Sequence, residues 1–183
     1  YQIDRGTSGL TLCCTNVQVA RLVQGRIVDG SIQKQYLARV HGKFPSSSSS
    51  NNDDNTQLVE SSSSTDRMIA QWTWKENNST STTTTTASFL QVNAPIETVD
   101  PANGIRKITK TGKPSKSLFQ FLCYNPDTHT SMIVCCPVTG RSHQLRVHLQ
   151  WLGYSIVKDT QYGDGEADAD DNADDDVLRK SST

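Results

Sequence analysis

The sequence holds no apolar run near the ~20 residues that a membrane-spanning helix needs, which excludes a helical crossing, and no signal-peptide pattern opens it. Its five cysteines, Cys13, Cys14, Cys123, Cys135 and Cys136, include no C-x-x-C pair, so neither a zinc knuckle nor a dithiol redox motif is available. All five, which include two adjacent pairs, instead read as reduced, buried strand residues. No cluster of metal ligands stands out. An initiator methionine is also missing: the chain opens on Tyr1, and the expectation is a fragment truncated at both ends.

Large apolar side chains are nearly absent from residues 46–66 and 77–88, which are runs of Ser, Thr, Asn and Asp. Such stretches have too little to bury against the entropy of ordering the chain, and they predict a solvated polar insert over about 46–91. Residues 164–176 carry eight acidic side chains, a self-repelling run that predicts a disordered acidic tail over 164–183. What remains within 1–163 is one small core. Its two richer stretches, 1–45 and 92–163, contain fourteen Lys and Arg against six Asp and Glu, although the whole chain has a formal charge of −1. That reversal suits a polyanionic partner, although a solvated basic face fits the charge count equally well.

Within the core, residues 10–14 (LTLCC) alternate like a strand, and Asn16 can cap a helix over 17–28. A strand rich in β-formers is expected over 32–40. Residues 118–124 and 131–136 flank an Asn125-Pro-Asp turn signal and predict an antiparallel hairpin. The Trp72-Thr-Trp74 patch predicts a short strand docked on the core. A last helix should run from Ser142, as its N-cap, to Leu152, with Gly153 as its left-handed stop. Helical spacing puts Leu145, His148, Leu149 and Leu152 on its apolar face and His143, Arg146 and Gln150 on a neighbouring stripe, so His148 reads as a satisfied core histidine.

Residues 139–148 read TGRSHQLRVH, and 152–163 read LGYSIVKDTQYG. Together they resemble the C-terminal catalytic motif of the RluA-type pseudouridine synthases, roughly TGR-[ST]-HQ-[LI]-R-V-H followed by LG-x-x-I-x-x-D-x-x-YG. The opening YQIDRGTSGL resembles that family's HRLD-x-x-TSG loop, residues 34–40 (KQYLARV) its K-x-Y strand, and Gly112-Lys-Pro its GKPA segment. The four likenesses occur in the family's order and span most of 1–45 and 93–163.

The resemblance implies an α+β pseudouridine synthase catalytic fold, with a mainly antiparallel mixed sheet flanked by helices. It also implies an enzyme that isomerises uridine in RNA without cofactor or metal. Carried over, Asp4 is the catalytic carboxylate, Tyr36 the aromatic that packs on the target base, and Arg146 the guanidinium paired with the aspartate. Gln2, Arg5, Arg141 and His143 join as substrate-binding residues. The chemistry is coherent: cleaving a glycosidic bond and rejoining the base through carbon needs a nucleophile or charge stabiliser beside the sugar. A bidentate Arg146 would keep that carboxylate ionised and oriented. The base must also leave its stack to reach it. Each residue alone has a plainer reading: Asp4 a turn residue, Tyr36 a half-buried strand tyrosine, Arg146 a surface charge. Two positions depart from the pattern, since Tyr1-Gln2 replaces His-Arg and Lys158 stands where Gly or Asn is usual. The implied protein is a monomeric, intracellular RNA enzyme, with rRNA, tRNA and mRNA all open as substrates and cytosol, nucleus and organelle open as compartments. The alternative is a non-catalytic RNA-binding remnant of the same fold.

Overall fold

The computed structural model describes residues 3–46, 71–76 (backbone only) and 88–163. Gln2, most of the polar insert and the acidic tail lie outside the described residues. The chain order is α1 (Val17–Val28), β1 (Tyr36–His41), β2 (Gln71–Glu76), β3 (Ser88–Asn93), β4 (Ile96–Asp100), β5 (Ile105–Ile108), β6 (Lys116–Asn125), β7 (Thr130–Pro137) and α2 (Gln144–Trp151). Five strands form one antiparallel sheet in the order β1-β7-β6-β3-β2, and β4 and β5 form a separate hairpin. The fold is α+β, as the sequence led us to expect.

The 118–124/131–136 hairpin forms as β6 and β7, with Phe119 opposite Cys135 and a register shift between Phe121 and Cys123. The Trp72-Thr-Trp74 stretch lies in β2 and pairs with β3, so part of the region read as insert adds a strand to the sheet edge. One face of the sheet buries Val40, Leu90, Val92, Phe119, Ile133 and Cys135 with Leu149 and Leu152 of the last helix and its end. Phe44 closes this core edge-on to Phe119 and Tyr154. Each large apolar side chain fully buried here contributes about 1.5–3 kcal/mol. A smaller cluster of Ile96, Val147 and Tyr162, flanked by Ile108, fastens the β4–β5 hairpin to α2.

Helix α1 has the expected limits, and the Asn16 side chain accepts the Gln18 N–H at 2.7 Å. None of its residues is buried, and Val17, Leu22 and Val28 face solvent. The strand expected over 10–14 does not form. Among the described residues no strand runs beside it to satisfy its backbone, and Leu10 and Leu12 are exposed. Cys13 and Cys14 are therefore neither buried nor in a strand, and Cys123 is exposed on β6; of the five, Cys135 alone is fully buried. The strand β1 begins at Tyr36 rather than Ile32, because the Ile32 N–H returns to the Arg26 carbonyl at the end of α1.

The N-cap of α2 is His143, in left-handed conformation, and not Ser142. The buried Gln144 side chain explains the shift. Its carbonyl accepts the Thr139 hydroxyl (2.7 Å) and the Arg141 N–H (3.0 Å), and its amide donates to the Lys116 carbonyl (2.8 Å) and Ser117 Oγ (2.9 Å). The chain entering the helix wraps around this amide and reaches its first turn at residue 144. At the other end Gly153, at φ +83°, supplies the expected stop.

His148 is fully buried, with Nδ1 2.9 Å from Ser117 Oγ and Nε2 3.0 Å from the Ala94 carbonyl. A carbonyl only accepts, so Nε2 carries the proton and Nδ1 takes the Ser117 hydroxyl. Burial pushes the imidazole pKa down to about 4. It is the satisfied core histidine that helical spacing suggested.

Candidate active site

Asp4 lies in a turn closed by the Thr7 N–H on the Asp4 carbonyl (2.9 Å). Its side chain, 37% exposed, meets Arg146 of α2: Arg146 Nη1 is 3.4 Å from Asp4 Oδ2. The two residues are 142 apart in sequence, and the fold brings them together.

The bidentate partner of Arg146 is not Asp4 but Asp159. Nε donates to Asp159 Oδ2 and Nη2 to Oδ1, both at 2.7 Å, whereas Asp4 receives one longer contact. The physical reason is presentation. The loop after α2 turns so that the Gln161 and Tyr162 N–H groups donate to Asp159 Oδ1 at 3.0 and 3.1 Å, which fixes a carboxylate only 4% exposed beside the helix. Burial would raise the Asp159 pKa, but the Arg146 hydrogen bonds and the two backbone donors outweigh it and hold the carboxyl below its ordinary value. The same hydrogen bonds, donated by Arg146 to Asp159, raise Arg146 above the usual guanidinium value. Gly163 ends this loop by close approach: a Cβ there would stand 2.4 Å from the Asp159 carbonyl oxygen, so no larger residue fits without moving the loop.

Tyr162 completes the setting. Its ring lies under the guanidinium, 4.7 Å from Arg146 Cζ, a cation–π geometry. Its hydroxyl accepts the Arg106 N–H (2.8 Å) and shares a hydrogen bond with His143 Nδ1 (2.9 Å). His143 stands at φ 57°, a conformation costing a non-glycine residue about 1 kcal/mol or more. Burial first and the nearby Arg146 charge second lower its pKa, against the opposing pull of Asp4.

Of the expected site residues, Asp4, Arg146 and His143 thus come together. Arg5 is exposed next to Asp4. Tyr36 is half-buried at the start of β1, opposite Cys135 and packed on the core. Arg141 sits to one side, its Nε donating to the Pro114 carbonyl (3.2 Å) and so tying the Gly112-Lys-Pro segment to the approach to α2. Sequence reasoning missed Asp159 and Tyr162 as site members, although both are fixed letters of the D-x-x-YG pattern. The odd Lys158 has a structural meaning, since its φ of 64° is a value at which Gly or Asn is the unstrained choice.

A family model described as RNA pseudouridylate synthase matches residues 2–151. Among curated proteins, the chain is 29% identical over 162 residues to Pseudouridylate synthase RPUSD2 of Homo sapiens, covering 88% of this chain and 22% of that protein. It is 30% identical over 162 residues to the tRNA pseudouridine(31) synthase of Saccharomyces cerevisiae, covering 88% and 35%. To the Ribosomal large subunit pseudouridine synthase C of Vibrio vulnificus it is 29% identical over 169 residues, covering 92% and 40%. The chain therefore spans well under half the length of these relatives. In fold it matches the structure of Human RNA Pseudouridylate Synthase Domain Containing 1 with a TM-score of 0.58 at 22% identity, over 89% of this chain and 54% of that one. Since the family match extends over most of its length, the chain belongs to the RNA pseudouridylate synthase family.

Proposed function

We propose that this chain carries the catalytic centre of an RNA pseudouridine synthase, with Asp4 as the group that acts on the target uridine. The observation that carries the reading is the meeting of Asp4 with Arg146 at 3.4 Å, where Asp4 keeps solvent access and Arg146 is held from behind. In the isomerisation the N1–C1′ bond breaks, C5 bonds to C1′, and the proton that leaves C5 is balanced by one gained at N1. An Asp4 carboxylate beside the sugar serves as nucleophile or as stabiliser of positive charge, and the Arg146 guanidinium orients it. Tyr36 offers an aromatic face to a base taken out of its stack. Arg5, Arg141, His143 and Gln2 supply donors to the phosphates and base, and the basic core gives the long-range attraction.

The test is to map pseudouridine in cellular RNA with the full-length gene present, deleted, and restored as wild type or Asp4→Asn. Sites that vanish on deletion and return only with the wild type support the reading. An unchanged map, with RNA still bound by the purified protein, would mark a non-catalytic RNA-binding form instead.

A further inference from the structure

We infer that Asp159 is a positioning residue of this centre: it occupies the fork of Arg146, so that only the Nη1 end of the guanidinium is left for Asp4 and the Asp4 carboxylate stays open to the nucleoside. The inference rests on the synthase reading above. Both Asp159 oxygens are committed, Oδ2 to Arg146 Nε and Oδ1 to Arg146 Nη2 and the Gln161 and Tyr162 N–H groups. A carboxylate held by four donors cannot rotate, and a fork bound to it fixes the plane of the guanidinium. Tyr162 beneath that plane opposes tilting, and Gln161 Oε1 accepts a further contact from Nη2 at 3.3 Å. Nη1 is the donor this arrangement leaves pointing at Asp4.

The partition has a chemical consequence. A carboxylate gripped by both prongs of a guanidinium has a lone pair on each oxygen engaged and is a weaker nucleophile. One touched by a single N–H at 3.4 Å is oriented yet available. Asp159 therefore competes with Asp4 for Arg146 and wins by burial and backbone donors, since its side chain is 4% exposed against 37% for Asp4.

Asp159→Asn keeps the shape and removes the charge, which frees Arg146 to close on Asp4. In single-turnover assays of the full protein, corrected for folded fraction, the chemical step should slow by about a hundredfold, the scale expected when a catalytic group is misplaced. RNA affinity should be unchanged. In an Arg146→Lys background the same substitution should add no further loss, because Asp159 acts through Arg146. A second readout is independent of turnover: the Arg146 Nε–H resonance in ¹⁵N NMR should be protected in wild type and in Asp4→Asn, and lose protection in Asp159→Asn. If Asp159→Asn does not fold, Asp159→Glu, with its charge kept and its fork displaced, should show the slowed chemical step with RNA affinity retained. A wild-type rate in a folded Asp159 variant, an additive loss in the Arg146→Lys background, or protection lost in Asp4→Asn and kept in Asp159→Asn overturns the inference. A wild-type protein that makes no pseudouridine removes the synthase reading instead, and the NMR comparison still decides whether Asp159 holds Arg146.

Discussion

Acidification should destabilise this fold through His148 well before its carboxylates are protonated. The folded pKa of His148 is pushed down to about 4, against an ordinary value of 6.5 in the unfolded chain. With the folded value the lower one, the stabilisation is complete above 6.5, declines as pH falls through that value, and is gone once pH falls below about 4. A difference of that size corresponds to roughly 3 kcal/mol, a large share of a small domain's stability. His143 shifts in the same direction, and its partial exposure makes its share smaller. Asp159, held below its ordinary carboxylate value, is lost only at still lower pH. Urea unfolding between pH 7.5 and 4.5 measures the effect. His148→Gln, which can keep one hydrogen bond, isolates it. It should be less stable than wild type at pH 7.5 and should flatten the pH dependence between 6.5 and 4.5. If the wild type and His148→Gln lose stability in parallel across that range, the buried neutral imidazole is not the source, and the reasoning fails.

Arg146→Lys should slow turnover by at least about tenfold with little change in RNA affinity, because an ammonium cannot hold the Asp159 fork and reach Asp4 together; single-turnover rates check it, and a near-normal rate contradicts it. Lys158→Gly should raise unfolding free energy by roughly 0.5–1 kcal/mol by relieving the left-handed backbone, and a loss of stability in urea melts would show that the lysine side chain matters more than its φ. Gly163→Ala should weaken the 156–163 loop and lower turnover, since its methyl meets the Asp159 carbonyl; equal melting and equal rates would refute the close approach.

What could be read in the sequence was local. Asn16 capping α1, Gly153 ending α2 and the Asn125-Pro-Asp turn between β6 and β7 each act through neighbours a few residues away, and each appears where expected. The failures involve distant partners. Residues 10–14 have strand composition but no neighbouring strand among the described residues, and composition carries no information about that. Ser142 looks like a cap, yet Gln144 reaches back to Thr139 and across to Lys116 and thereby decides where the helix starts. The β4–β5 hairpin was not foreseen, although Pro101-Ala-Asn-Gly104 is a turn signal and Asn103 does bond Asp100. At the site, the motifs name both Asp4 and Asp159, but only the fold determines which carboxylate takes the Arg146 fork. That choice depends on two backbone N–H groups and on burial, neither of which is visible in spacing.

The most direct test of the central claim, that Asp4 performs the chemistry, compares wild type and Asp4→Asn on one uridine-containing RNA identified by the mapping above. Binding is measured by filter retention at fixed salt, and pseudouridine is quantified by mass spectrometry of the digested RNA. The expected result is equal affinity with no pseudouridine formed by Asp4→Asn, because the amide fills the same space and is a poor nucleophile. Pseudouridine formed by Asp4→Asn at the wild-type rate would contradict the claim and move the chemistry to another residue.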